Sequence, residues 1–484
     1  MIEENKSSMK NSVRRIIIAG IGVLIQIIWV VVLLMRLNEY SQIITLLTVA
    51  IELVLVLAVY SMDTNAAFKL PWIILITVAP IVGICVFFLF GRSGATKKVR
   101  ARYRKIDQQL FAYLNQDEQI IEELSKKDER LANDFKYLWK CASSPVYKNT
   151  DVKYYGDTCD AMAAQLEDMM QAKKFIFLEY HAIEMAESFQ ALRKVLMAKA
   201  REGVEIRILY DDAGCIGFFM NNRDHRKITV IDGKVAYTGG YNLADEYFNI
   251  THPYGQWKDS GIRFEGDAVQ TATILFLEMW NALREQDVDI EKYLPVYPYK
   301  AKEQGFFALY GDSPLDKEPA GENVYMNLLR HAKKYIYFTT PYLILSDEMT
   351  RELTGAAKRG VDVRIITPGI PDKKTIFQVT KSYYPQLLKH GVKIYEYTPG
   401  FMHEKQCICD GEIVVVGTIN LDFRSLYLHF ENAALFCGYE AVSHVKEDFD
   451  ALFPICKDMS KEPSERTRRL RLSQLILRLF SPLM

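Results

Sequence analysis

The chain has no excess charge of either sign, since 60 lysines and arginines offset 60 aspartates and glutamates. A global basic field, the footprint of a nucleic-acid binder, is therefore missing. Cysteine is sparse: eight are scattered (Cys85, Cys141, Cys159, Cys215, Cys407, Cys409, Cys437, Cys456) without metal-type spacing. That pattern gives no disulfide-stapled secreted fold, and Cys407 and Cys409 alternate on an expected strand as core thiols. A cleavable signal peptide also fits poorly. No small-residue cleavage site stands out, and two further apolar runs follow the first.

Long apolar runs are present only near the start, over about 16–35, 43–60 and 70–90. Each is near the length needed to cross about 30 Å of hydrocarbon as a helix. Residues 1–92 are accordingly expected to be a membrane anchor with two or three transmembrane helices. Glu52 lies inside the second run, where a carboxylate is a functional candidate by default and a packed or tilted helix is the plainer reading. If all three runs cross, Lys6, Lys10, Arg14, Arg15 and Lys69 share one side. Arg36, Arg92, Lys97, Lys98, Arg100, Arg102, Arg104 and Lys105 share the other. Eight against five favours a cytoplasmic catalytic region, but the four charges of the tail pull the other way. A charged, helix-prone linker or surface helix is expected over 93–135.

Beyond it the chain repeats itself. Ala172-Lys173-Lys174-Phe175-Ile176-Phe177 matches Ala332-Lys333-Lys334-Tyr335-Ile336-Tyr337, and Gly203-Val204-Glu205-Ile206-Arg207 matches Gly360-Val361-Asp362-Val363-Arg364. Helix-like stretches alternate with short β-branched runs, the pattern of an α/β domain. The expected halves are 136–300 and 301–460, followed by a basic amphipathic helix over 461–484. In that helix Ser464 serves as cap, Leu472, Leu475, Ile476 and Leu479 form the apolar positions, and Arg466, Arg468, Arg469, Arg471 and Arg478 the basic ones. Such a helix suits an anionic membrane surface or packing on the catalytic domain.

Each half carries one short motif. His225-Arg226-Lys227 is followed by Asp232, and His403-Glu404-Lys405 by Asp410, at the same offset. A glycine and an asparagine then follow in register, Gly239 with Asn242 and Gly417 with Asn420. A single match would be weak, whereas two matches extended by the same residues are not accidental. The set suits attack on a phosphodiester. A neutral imidazole attacks phosphorus and splits one hard step into two. A second imidazole protonates the departing alcohol and deprotonates the incoming one. Lys227 and Lys405 aim ammonium groups at the phosphate, and Asn242 and Asn420 add amide donors. This chemistry needs no metal or cofactor. Asp232 and Asp410 are expected to hold a turn in each repeat instead of reacting.

The duplicated motif resembles the phospholipase D superfamily, and its combination with N-terminal spans resembles bacterial cardiolipin synthases. Supporting stretches are Tyr254-Gly255-Gln256-Trp257-Lys258-Asp259, Gly239 to Tyr247, Thr340-Pro341-Tyr342, Asn420 to Ser425 and Ser481-Pro482-Leu483. The resemblance implies an α/β fold of two halves, each a mixed β-sheet flanked by helices, related by a pseudo-twofold that brings both motifs into one cleft. It implies His225 as nucleophile and His403 as acid/base, with a swap allowed by the twofold. It makes Glu431 the partner of His403 and Asp259 the matching candidate for His225. It also implies a reaction, the joining of two phosphatidylglycerols to cardiolipin with release of glycerol. The acceptor stays open, since water would give a phospholipase D and another alcohol a different lipid. Asn420 to Ser425, Tyr241, Tyr247 and Phe248 are candidates for shaping that choice. A nuclease is disfavoured by the apolar runs and neutral charge, and a catalytically silent membrane scaffold is the rival of another class. His181, His252, His331, His390, His429 and His444 lack a repeated context, although His429 lies two residues before Glu431.

The halves differ in length. From Gly360 to His403 there are 43 positions, but from Gly203 to His225 only 22. The longer stretch is expected to hold a helix (375–389) and a strand (392–397), and the first half to lack that unit. Residues 213–224 can still span up to about 40 Å, so His225 is expected to reach the cleft, with an exposed sheet edge as the cost.

Overall fold

The computed structural model describes residues 21, 24–29, 39–91, 97–211, 222–284, 286–296, 298–316, 318–462 and 470–483. The chain falls into two compact units. The larger comprises Lys97–Asp212 and Arg223–Gln474, the smaller Met1–Thr96, Ala213–Asn222 and Leu475–Met484.

In the larger unit the first half builds a six-stranded mixed sheet. Its strands are β1 (Thr150–Tyr155), β2 (Phe175–Tyr180), β3 (Glu205–Tyr210), β4 (Ile228–Ile231), β5 (Val235–Gly239) and, after the short β6 (Gln256–Lys258), β7 (Gly261–Gly266). Their order is β1-β7-β5-β4-β2-β3. The second half repeats it with β8 (Phe306–Asp312), β9 (Tyr335–Thr339), β10 (Asp362–Pro368), β13 (Gln406–Cys409), β14 (Ile413–Gly417) and β15 (Glu431–Cys437). It then extends past β10 by β11 (Lys393–Tyr397) and β16 (Cys456–Asp458). The matched sequences Ala172 to Phe177 and Ala332 to Tyr337 thus lead into the same strand of each sheet. Cys407 and Cys409 are buried on β13.

One core serves both sheets. The helix Val269–Leu283 is buried along most of its length and packs on β4 and on β8. Phe177, Phe264 and Phe276 join Phe307, Val414 and Phe436 in a single apolar cluster. Each fully buried phenylalanine contributes about 1.5–3 kcal/mol, so the halves stabilise each other. The strand β12 (Gly400–Met402) also pairs in parallel with β6, Phe401 opposite Trp257.

The length difference shows in the sheets. β10 is followed by the helix Lys374–Lys389 and β11, whereas β3 is the last strand of its sheet. Residues 212–221 lie outside the described residues. Along the edge Ile208 is 37% and Tyr210 53% exposed. Arg207 shields the other face: it makes a bidentate pair with Asp287 at 2.7 and 2.8 Å. Its guanidinium lies 4.8 to 5.2 Å from the ring centroids of Tyr293, Trp280 and Phe177. In the second half Arg364 stacks over Tyr337, Phe453 and Tyr395 of β11 instead.

In the smaller unit the helix Glu39–Tyr60 covers the second apolar run. Leu46, Leu47, Val49, Leu53, Val54 and Leu57 are exposed on it, and Glu52 is half-buried. The third run is not the single span expected from its composition. It forms the helix Ala66–Val78 and a second helix, Pro80–Val86, separated at Ala79, whose φ of −138° and ψ of 74° are not helical. Pro80 is the cause: its ring disfavours the α conformation in the residue before it. The chain then folds back closely enough that a Cβ on Gly83 would stand 2.5 Å from the Leu75 carbonyl oxygen, so only glycine fits there. Val59, Trp72, Ile76 and Phe87 close a small core. Among the described residues no helix is long and apolar enough to cross a membrane. Most of the first run (16–35) lies outside the described residues. A C-terminal helix spans Leu472–Phe480; the expected cap Ser464, with Arg466, Arg468 and Arg469, lies outside the described residues.

Candidate active site

Each motif enters its sheet in the same way. His225 and Lys227 stand immediately before β4, His403 and Lys405 immediately before β13, and each aspartate sits in the hairpin turn that follows. Asp232 and Asp410 both have φ of +53°, the left-handed region that a short polar side chain tolerates. The carboxylate of Asp232 accepts from the backbone N–H groups of Lys173 (2.8 Å), Lys174 (2.7 Å) and Phe175 (2.9 Å). Asp410 repeats this with Lys333 (2.8 Å), Lys334 (2.7 Å) and Tyr335 (2.8 Å). Both aspartates therefore hold the start of the neighbouring strand.

The histidines are braced across the halves. The His225 backbone N–H donates to the Phe430 carbonyl at 2.8 Å, and that of His403 to the Lys258 carbonyl at 2.8 Å. Both bracing residues precede the carboxylate that the imidazole meets. His225 Nδ1 lies 2.9 Å from Glu431 Oε2, and His403 Nδ1 lies 2.5 Å from Asp259 Oδ2. This corrects the pairing expected within each half, which gave Glu431 to His403 and Asp259 to His225. Sequence distance misleads because each motif packs against the segment of the other half that carries its carboxylate. Glycine makes the approach possible: a Cβ on Gly240 would stand 2.1 Å from Asp259 Oδ1.

The rest of the expected set surrounds these pairs. The Lys227 ammonium donates to the His225 carbonyl at 2.7 Å. The Lys405 ammonium reaches the His403 carbonyl and lies 2.7 Å from His403 Nδ1. Asn242 donates from Nδ2 to the Tyr247 hydroxyl at 2.8 Å and accepts from the Ala182 N–H at 3.2 Å. The Asn420 N–H donates to Ser425 Oγ at 2.8 Å, and its side-chain oxygen is buried without a hydrogen-bond partner among the described residues.

Burial dominates the electrostatics. It pushes the His403 pKa down to about 4, with Lys405 adding to the effect and Asp259 opposing it. His225 is also held well below its ordinary value by burial, against the pull of Glu431. Burial lowers Lys405 to about 7 and Lys227 to about 8. Glu431 is buried too, which raises it, but His225 and His429 outweigh that and keep it ionised. Each imidazole thus faces a carboxylate through Nδ1, leaving Nε2 for chemistry, and an arriving phosphate anion favours charging the lysines.

Several contacts around the site went unread in the sequence. Thr418 Oγ1 and Ser425 Oγ donate to Glu431, the latter at 2.6 Å. Asn432 accepts from the Lys227 N–H at 3.2 Å and donates to Thr238 at 2.7 Å. Lys258 pairs with Glu404 at 2.6 Å and Asp448 at 2.8 Å, while Arg226 is buried between Glu179 (2.9 Å) and Glu278 (2.8 Å). Arg226 and Glu404 fill the same motif position with opposite charge, the one signal that both need a buried counter-ion. His225, His429 and Glu431 bring one ligand atom each within 4.8 Å of one another, a grouping of the kind that can hold a metal ion. The phosphodiester chemistry above makes no use of one.

Residues 325–453 match the family model described as cardiolipin synthase, PLD-like domain. The chain is 37% identical over 460 residues to an uncharacterised protein of Streptococcus mutans, covering 89% of this chain and 99% of that one. It is 31% identical to a cardiolipin synthase of Halalkalibacterium halodurans, covering 85% and 87%, and 30% identical to cardiolipin synthase 2 of Bacillus anthracis, covering 86% of each. Among solved structures, the phosphatidylserine synthase of Haemophilus influenzae superposes with a TM-score of 0.52 at 13% identity, over 69% of this chain and 93% of that one. That likeness concerns the fold.

Proposed function

Since the chain belongs to the cardiolipin synthases of the phospholipase D superfamily, we propose that it makes cardiolipin from two phosphatidylglycerol molecules and releases glycerol. The observation that carries this reading is the crossed arrangement His225–Glu431 and His403–Asp259, with Lys227 and Lys405 beside them. It supplies two oriented imidazoles and two cations for one phosphate.

In the first step His225 Nε2 bonds to phosphorus and the bond to the glycerol oxygen breaks. That oxygen takes a proton from His403, whose charged form Asp259 and the bound phosphate anion favour against burial. In the second step a hydroxyl of the acceptor phosphatidylglycerol bonds to phosphorus and gives its proton to His403 Nε2. The phosphorus–nitrogen bond breaks and its electron pair returns to His225. Lys227, Lys405, Asn242 and Asn420 bind the non-bridging oxygens, while Asp259 and Glu431 fix the tautomers. Water as acceptor would give phosphatidic acid, the hydrolase alternative.

The protein acts at a membrane in this reading. Exposed leucines and valines on Glu39–Tyr60, and exposed Leu472, Leu475 and Ile476 near the C-terminus, support burial in or on lipid. The catalytic unit is assigned to the cytoplasmic side, and no nucleic acid is involved. Mass spectrometry of protein quenched during turnover of phosphatidylglycerol is expected to find a phosphatidyl adduct on His225 that disappears in His225→Ala. Turnover with no adduct on either histidine would rule out the covalent route.

A further inference from the structure

The two sides of the cleft differ although the chain that builds them is duplicated. Trp257 precedes Asp259 by two residues as His429 precedes Glu431. Phe401 stands before His403 as Arg223 stands before His225, and Tyr247 follows Asn242 by five as Ser425 follows Asn420. Three aromatic residues therefore occupy places that are polar on the other side. The His403 ring has Trp257, Tyr247 and Phe401 at centroid distances of 5.0, 5.2 and 5.8 Å. The His225 ring instead meets His181 at 5.0 Å and His429 at 5.6 Å.

Trp257 is held firmly. Its ring packs on Tyr247 at 4.5 Å and Phe401 at 4.7 Å. Its backbone N–H donates to Asn249 Oδ1 at 2.8 Å, and its carbonyl accepts from Asn249 Nδ2 at 2.9 Å. The residue is 7% exposed, yet its indole Nε1–H has no hydrogen-bond partner among the described residues. A buried donor left unpaired is destabilising, a cost that a fused aromatic ring without an N–H would not carry.

We propose that the wall of Trp257, Tyr247 and Phe401 is the alcohol subsite, and that the Trp257 N–H donates to a hydroxyl oxygen of the glycerol headgroup. This rests on the phosphatidyltransferase reading above. A polyol presents C–H faces that pack on aromatic rings and oxygens that accept hydrogen bonds, whereas water offers no such face. In the second step the acceptor's primary hydroxyl oxygen bonds to phosphorus, its proton passes to His403 Nε2, and the bond to His225 breaks. A neighbouring hydroxyl held by Trp257 orients that attack. Water competes for the same intermediate without this anchor. Trp257 thereby sets the ratio of transfer to hydrolysis.

The experiment measures cardiolipin and phosphatidic acid formed by the full chain in phosphatidylglycerol vesicles. It compares wild type, Trp257→Phe and a variant carrying β-(3-benzothienyl)alanine at position 257, which keeps the fused ring and lacks the N–H. Both products come from one intermediate, so a merely structural defect lowers both alike. The expected result is a fall in the cardiolipin-to-phosphatidic acid ratio of about 3- to 10-fold in both variants. An unchanged ratio in the benzothienyl variant overturns the donor role, whatever Trp257→Phe does to folding. Wild type that makes neither product overturns the phosphatidyltransferase reading itself, and this proposal with it.

Discussion

At the scale of single residues the site depends on two short contacts that cross between the halves. If the Nδ1 partners fix the tautomers, Asp259→Asn and Glu431→Gln each lower kcat by roughly 10²- to 10⁴-fold. Double-mutant cycles then find strong coupling for His403 with Asp259 and for His225 with Glu431. Coupling of His225 with Asp259 instead would contradict the crossed pairing. The lysines give opposite pH signs for activity and stability. Lys405 and Lys227, near 7 and 8 in the folded protein because of burial, lose charge as pH rises through that range, so kcat/KM falls above about pH 7. In the unfolded chain a lysine keeps its proton to about 10.4. Between about pH 7 and 10 the unfolded state therefore binds more protons, and stability rises with pH. Thermal melts across this range, beside Lys405→Met, are expected to show a shallower rise in the variant. Equal slopes would mean that Lys405 is not depressed.

At the scale of elements the motif aspartates belong to strand starts. Asp232→Ala and Asp410→Ala each remove a charged acceptor from three backbone N–H groups, and a loss of about 2–4 kcal/mol is expected in denaturant melts. Some turnover should persist where the variants remain folded; complete loss in a fully folded variant would place these aspartates in the chemistry. Arg207→Ala uncovers the edge at β3 and is expected to cost about 1–3 kcal/mol and promote aggregation, read by light scattering. Much of this was legible beforehand. Repeated segments and alternating periods gave the two α/β halves, and the 43-against-22 spacing pointed to the shorter first sheet. The crossed carboxylates were not legible, because a separation along the chain carries no information about which half an imidazole faces. Nor was the break at Ala79, where one proline before Ile81 turned a continuous apolar run into two short helices.

At the scale of the whole molecule that break changes the membrane arithmetic. On the membrane-anchored reading proposed above, with the first two runs crossing and the hairpin Ala66–Val86 entering and returning on one side, twelve of the thirteen basic residues up to Lys105 share a side, with only Arg36 opposite. The positive-inside bias then no longer conflicts with itself. In a background without other reactive cysteines, Ser7→Cys and Ser93→Cys are expected to resist an impermeant maleimide in intact cells while Asn38→Cys reacts. Opposite behaviour of positions 7 and 93 would show that the third run crosses. The central claim concerns the reaction, and a lipid assay tests it most directly. Purified protein in phosphatidylglycerol vesicles, beside His225→Ala and His403→Ala, is expected to yield cardiolipin and glycerol in equal amounts, with neither variant doing so. A folded, lipid-bound wild type that forms no cardiolipin, or variants that form it as fast, would contradict the account.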